Sequence, residues 1–227
     1  MTYSSLEEYL QSHKDLKIEE LKNKIKLKGE VSSRVYSTSK NNSCFLKVYG
    51  KNGHEDEFKL FWPANVSFDV QDGDYVEVNG ELRTMNKFGK LFISVKVNQI
   101  DKFDEMEHSV EAMLKDKNKC YVIGYLAKNP SYNLFYNPCQ EKTEVTEGLI
   151  AVNHEDENES SYIPYVTFGQ DAFNLKDFKR GDKVLLEGKF QARQYTKKSE
   201  PGKVFTAFEV NAKNIVDLNE NNCNLYK

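Results

Sequence analysis

The chain has 227 residues, 32 basic and 35 acidic side chains and a net charge of −3. It therefore has room for one large or two ordinary domains, and it is not a simple polycation that would coat any nucleic acid. No apolar run approaches the roughly 18 residues that span a bilayer, and the opening MTYSSLEEYLQSHKDL lacks the basic start and apolar core of a secretory signal. Cys44, Cys120, Cys139 and Cys223 are scattered, with no Cys-x-x-Cys pair. They read as free thiols of a reducing, cytoplasmic setting, not as a disulfide framework or a zinc site.

In chain order, residues 4–23 are predicted to be helical. Ser5-Leu-Glu-Glu8 fits a capping box, and Leu6, Leu10, Leu16, Ile18 and Leu21 form an imperfect apolar stripe. We read this helix as packed on the first of the two barrels inferred below, with a partner-binding helix as the alternative. Period-two alternation opens at Ile25-Lys-Leu-Lys-Gly-Glu-Val31. Four more strands follow at 44–49, 58–62, 75–85 and 91–100, and Asn86-Lys-Phe-Gly89 supplies the turn before the last of them. Residues 101–118 are acidic, with Met106, Val110, Met113 and Leu114 at helical spacing, and read as a connecting helix or linker. The second half repeats the plan, with strands at 121–126, 147–152, 162–168, 183–193 and 204–216. A short helix at 171–178 offers Phe173, Leu175 and Phe178 for burial. The insert from Asn129 to Val145 is rich in Asn, Tyr and Pro, and is either a binding arm or a long connection. The polar tail from Asn219 is expected to fray.

The two halves share a phrase. Residues 73–83 read GDYVEVNGELR and residues 181–191 read GDKVLLEGKFQ, 108 positions apart. Each is a Gly-Asp turn, an alternating strand and a second Gly seven positions after the first. A duplicated phrase points to a duplicated domain. A Gly inside a strand marks a bend or a close backbone approach, as a tightly curved barrel needs. With the order β-β-β-α-β-β, the fold class is mainly β: two tandem OB-fold five-stranded β-barrels with an N-terminal helix and a short helical linker. The expected divisions are 1–24 for the helix, 25–100 for the first barrel, 101–118 for the linker, 119–218 for the second barrel and 219–227 for the tail.

Over residues 119–218 the chain resembles the bacterial-type single-stranded DNA-binding protein family. Val122-Ile-Gly-Tyr-Leu-Ala-Lys-Asn-Pro130 resembles that family's first strand, and Leu149-Ile-Ala-Val-Asn153 its second. Tyr162-Ile-Pro-Tyr-Val-Thr-Phe-Gly-Gln-Asp-Ala172 is similar to its third strand and the start of its helix. Lys179 to Tyr195 is similar to its fourth strand and the hairpin after it. The first half shares only the general OB pattern. Its Lys28-Gly-Glu-Val31 also resembles the OB domain of exonuclease VII large subunits, without any part of that enzyme's catalytic region. The family's acidic, Phe-terminated tip is replaced here by Asn-Leu-Tyr-Lys. Two barrels per chain also suit a monomer or dimer better than the family's tetramer. A divergent member of phage or mobile-element type fits this pattern.

Single strands are held by aromatic faces that stack on bases and by basic groups that follow the phosphates. By the resemblance, Tyr162 and Tyr195 lie where the family places a stacking Trp, and Phe168 where it has a stacking Phe. Arg193, Lys197 and Lys198 accompany Tyr195 in the strand four–five hairpin. The equivalent hairpin of the first barrel offers Arg83, Lys87, Phe88 and Lys90. In its third strand Phe58, Leu60 and Trp62 share one face and Lys59 and Phe61 the other. Either Phe61 or Trp62 is expected to be exposed for stacking. His54-Glu-Asp-Glu57 and His154-Glu-Asp-Glu157 are identical and read as solvated hairpin tips rather than metal sites.

No P-loop, zinc-hydrolase spacing or nucleophile elbow is present, so no enzyme activity and no cofactor are expected. The leading reading is a non-enzymatic protein that captures and protects single-stranded DNA in replication, recombination or repair, across both barrel faces. Replication or recombination proteins and a second copy of the chain are further expected partners, and no membrane is. Two alternatives stay open: an adaptor that docks proteins in a replication complex, and an RNA- or tRNA-binding OB protein. The resemblance favours the second barrel as binder. The charge slightly favours the first, with 11 basic and 9 acidic residues over 25–100 against 13 and 14 over 119–217.

Overall fold

A computed structural model describes residues 2–3, 6–14, 21–50, 54–103, 118–136, 139, 141–154, 159–197 and 199–219. The chain opens with β1 (Thr2–Tyr3) and α1 (Leu6–Ser12). Next come β2 (Lys24–Val31), β3 (Tyr36–Ser37), β4 (Asn41–Tyr49), β5 (Glu55–Pro63), β6 (Tyr75–Lys87) and β7 (Lys90–Lys102). The second half holds β8 (Lys119–Leu126), β9 (Ser131–Tyr136), β10 (Lys142–Asn153), β11 (Ser160–Phe168), α2 (Gln170–Leu175), β12 (Lys183–Lys197) and β13 (Glu200–Asp217). Two compact units form. One comprises residues 24–119 and 194–206, the other residues 1–23, 120–193 and 207–227.

In the first unit β2 pairs antiparallel with β4 and with β6, β4 with β5, and β6 with β7, while β5 and β7 close the ring in parallel through Leu60 and Val95. In the second, β8 pairs with β10 and β12, β10 with β11, and Tyr165 of β11 lies parallel to Val210 of β13. Each ring is a five-stranded barrel of OB topology. Period-two alternation fills each interior: Leu46, Phe58, Leu60, Trp62, Val78 and Val95 in the first, Val122, Ile150, Ile163, Tyr165, Leu186 and Val210 in the second. Burying each such side chain contributes about 1.5–3 kcal/mol.

The shared phrase has one structural meaning in both copies. Gly73 and Gly181 adopt φ of 88° and 95°, a left-handed turn that favours glycine. The following aspartates accept from the backbone N–H of Gln71 and Lys179, at 2.7 and 2.8 Å. Each turn is tied to the end of its first barrel strand: Gly73 N–H donates to Val31 and Gly181 N–H to Leu126, both at 2.8 Å. The strand glycines mark close approaches. A Cβ at Gly80 would collide with the Lys96 carbonyl, and one at Gly188 with the Asn211 carbonyl.

Three expectations are corrected. The N-terminal helix packs on the second barrel's unit, not the first barrel. Leu6, Tyr9 and Leu21 join Tyr121, Leu185, Val216 and Leu218 in one buried cluster, and β1 lies parallel to Ile215–Val216. Tyr9 donates to the buried Glu187 carboxylate at 2.7 Å, and Asn214 donates to the same oxygen at 2.6 Å. Second, the 129–145 insert contains a strand, β9, paired along β10 from Ser131↔Glu147 to Tyr136↔Lys142. Third, α2 buries Ala172 and Leu175 but leaves Phe173 exposed, where Lys176 Nζ lies 3.4 Å from its ring centre. The expected linker helix and tail fall almost wholly outside the described residues. Cys44 and Cys120 are free and buried, and burial pushes their thiols up to about 11 and about 12; Cys139 is free and exposed. Thiols held protonated in this way are poor nucleophiles and poor metal ligands.

Candidate nucleic-acid interface

The outward face of the second barrel is set by alternation on β10 and β11. Ile163, Tyr165 and Thr167 point into the core, which turns Tyr162 and Phe168 outward, 47% and 44% exposed. Cross-strand register extends this face. Tyr162 pairs with Ala151, Ala151 with Tyr125 of β8, and Tyr125 with Lys183 of β12. Paired residues project to the same side. Four strands therefore present the row Lys183–Tyr125–Ala151–Tyr162. Tyr125 is 47% exposed, and Lys183 Nζ lies 5.9 Å from its ring centre, within cation–π reach. Phe135 of β9 shares the outward side through Thr143, with Asn133 opposite Val145 and Val145 opposite Phe168.

A basic rim borders this row. The turn into β12 carries exposed Lys179 and Arg180, and the loop after β8 carries exposed Lys128. The two segments are joined: Leu126 N–H donates to Asp182 at 2.9 Å, and Arg180 N–H donates to Asn129 Oδ1 at 2.8 Å. The rim is thus held by backbone geometry while its charged ends stay in solvent.

The predicted residues do not all join this surface. Arg193 is a fastener. Its Nε and Nη2 donate to Glu209 at 2.7 and 3.0 Å, and Nη2 lies 3.4 Å from Glu147. Gln191 donates to the same buried Glu209 at 3.0 Å, so Arg193's charge is largely committed to joining β12, β13 and β10. Tyr195 is half-buried and stacks on Phe205 at 5.6 Å, which covers one ring face. The Lys197 side chain and all of Lys198 lie outside the described residues.

In the first barrel, Trp62 is 1% exposed and sits in the core beside Phe58 and Leu60, with Phe68 edge-on at 5.5 Å. Its expected stacking role is overturned. Phe61 is the outward, half-buried residue of that strand, paired with Ser43. The signal was present in the sequence, since turning Phe61 inward would also have buried Lys59. Arg83 departs from expectation too: its side chain is only 12% exposed and donates to Glu81 at 2.8 Å. Lys87, Phe88 and Lys90 form an exposed tip. Phe88 is 91% exposed at φ 54°, and Gly89 completes the two-residue turn between Lys87 and Lys90. A bulky residue in the left-handed region is unusual and strained. His54 Nε2 lies 3.1 Å from Asp56. Of the second His-Glu-Asp-Glu only His154 is described, 2.8 Å from the Ser161 hydroxyl.

Sequence reasoning missed Tyr125, Lys183 and the 179–180 rim as one surface. Tyr125 stood at an outward position of an alternating strand, but the row exists only once register is known.

Comparison with known proteins bears on the fold and family likeness of this region. Residues 117–218 match the Single-strand binding protein family. No curated protein matches the chain. Among solved structures, the wild-type single-stranded DNA binding protein from Thermus aquaticus is similar at 18% identity and a TM-score of 0.61, covering 86% of this chain and 92% of that one. A deletion and substitution mutant of the same protein gives 18% identity and 0.63, covering 86% and 93%. Likeness at that identity speaks to the fold, which it matches across both barrels. Through its second barrel, the chain is similar to the single-strand binding protein family.

Proposed function

We propose that this chain is a non-enzymatic protein that binds single-stranded DNA on the outward face of its second barrel, protecting strands during replication, recombination or repair. One observation carries the reading: Tyr162 and Phe168 are exposed on the same strand face, and a basic rim borders that face. Exposed rings next to cations bind bases without needing their sequence, while the barrel interior stays closed to the ligand. The Lys87–Phe88–Lys90 tip supplies a second, smaller contact of the same chemistry.

Fluorescence anisotropy tests this with labelled oligo-dT, matched duplex and oligo-U, at low and moderate salt. Oligo-dT binding that weakens with salt, with little duplex binding, is the expected result. Tyr162→Ala should lower oligo-dT affinity by about 1–3 kcal/mol. Preference for oligo-U would move the assignment to RNA. Absence of binding to all three by folded protein would overturn the reading.

A further inference from the structure

The row Lys183–Tyr125–Ala151–Tyr162 has a shape that exposed aromatics alone do not require. Its two tyrosines stand on strands separated by one intervening strand, and that strand carries a methyl group at the row. Neighbouring strands lie about 4.8 Å apart, so β8 and β11 are roughly 9.6 Å apart at this level. A base stacked on both sides needs about 6.8 Å between the flanking ring planes, twice the ~3.4 Å step of stacked bases. An inward lean of the two rings about χ1 would close the remaining difference. A larger residue than Ala151 would fill the gap.

The slot has two unlike margins. On one side the adjoining outward pair is Leu149 and Pro164. On the other it is Asn153 and Ser160, where the Ser160 hydroxyl donates to Asn153 Oδ1 at 2.8 Å. An apolar edge beside a polar one suits a flat heterocycle with an apolar face and a hydrogen-bonding rim. Lys183 stands at the Tyr125 end, next to the 179–180 rim.

We propose that Tyr125 and Tyr162 are the two walls of a slot for a single nucleobase, with Ala151 as its floor and Lys183 placed for the adjoining phosphate. This deepens the single-strand reading and rests on it. Tyr125 is then a base-binding residue equal in rank to Tyr162, and the slot takes one base of any sequence, because each base has two π faces.

The test compares oligo-dT with an oligomer of equal length made of abasic residues, using the full-length chain. Tyr125→Ala and Ala151→Leu should each weaken oligo-dT binding about tenfold and leave abasic-oligomer binding within about twofold. Tyr162→Ala on top of Tyr125→Ala should cost less than it does alone, because a base that has lost one wall gains less from the other. Urea midpoints within experimental error of the parent would confirm that the variants fold. If Tyr162→Ala weakens oligo-dT binding while Tyr125→Ala and Ala151→Leu do not, the slot is overturned and the wider face stands. If the parent binds oligo-dT no better than the abasic oligomer, base stacking fails, and both the slot and the reading beneath it fall.

Discussion

Tyr75, Glu30, Lys47 and Glu57 line up across the first barrel at the positions that Lys183, Tyr125, Ala151 and Tyr162 hold across the second. The frames match down to the hydrogen bonds of their Gly-Asp turns, but the surfaces they present are opposite in kind. In the first row Glu30 accepts from the Tyr49 hydroxyl at 3.2 Å, and Glu57 from Ser32 at 2.8 Å. Two carboxylates there repel phosphate, and no exposed ring stands at either position. The turns differ likewise. The first carries Asp69, Asp72 and Asp74, with Lys102 bound to Asp74 at 2.9 Å, whereas the second carries Lys179, Arg180 and Lys183. A total charge taken over each half does not report this difference, because phosphate contact depends on the charges that border a groove and not on their sum.

The comparison can be broken most forcefully by exchange. Replacing Tyr125, Ala151 and Tyr162 with the first barrel's Glu, Lys and Glu should remove about 2–4 kcal/mol of oligo-dT affinity, measured by anisotropy. Retained binding would show that the row is not what distinguishes the barrels. Next in size, Lys179→Glu with Arg180→Glu should weaken binding about tenfold. The same pair should lower the slope of log affinity against log salt by roughly 1.4, if each residue meets one phosphate at about 0.7 per contact on single strands. An unchanged slope would place the backbone elsewhere.

Phe88→Gly sharpens the account of the first barrel, since stability and binding should move in opposite directions. Relief of the left-handed strain should raise stability by about 1 kcal/mol in urea titration, while loss of the ring weakens oligo-dT binding a few-fold. The smallest effect concerns Tyr165. Its hydroxyl is buried with no hydrogen-bond partner among the described residues, so Tyr165→Phe should be neutral or stabilising by less than about 1 kcal/mol. Burial also raises the titration of Tyr165 and Tyr9 above the ordinary tyrosine value, with the Glu187 hydrogen bond adding to the effect at Tyr9. The folded state thus keeps these protons after the unfolded chain has begun to lose them. Stability should be unaffected by these groups up to about pH 10 and fall above it, as urea midpoints taken across that range would show. Tyr9→Phe should flatten the fall.

Strands, Gly-Asp turns and barrel duplication were legible in the sequence because each is local: alternation has a period of two, and a left-handed turn favours glycine. Trp62 was legible in part. Alternation set it on one face with Phe58 and Leu60, and the charge of Lys59 on the other face decides which side is wet. The docking of α1 was not legible, because an apolar stripe says that a helix is covered but not by which surface. The partner here is Glu187 with Asn214, far along the chain. The Tyr125–Ala151–Tyr162 row was hidden for a related reason, being a property of three strands in register and not of any one. Arg193 shows the converse: a cation in a basic-aromatic segment looked available until Glu209 and Glu147 were placed beside it.

The pairing of Thr2 with Ile215 and Tyr3 with Val216 makes the first barrel an insertion within the second unit. Thr2 and Tyr3 leave the ribosome long before the strand they pair with. During synthesis the first barrel can complete its ring while the N-terminal arm has nowhere to dock, leaving Leu6 and Leu21 exposed until β13 emerges. The last folding event is therefore a long-range one, the slow kind when loop closure must precede the reward of contact. The same arrangement brings the beginning and end of the second unit side by side, the geometry in which a circular permutant can be closed by a short link. Such a permutant, opened just before β2, would carry α1 as a C-terminal element and should fold without the delay.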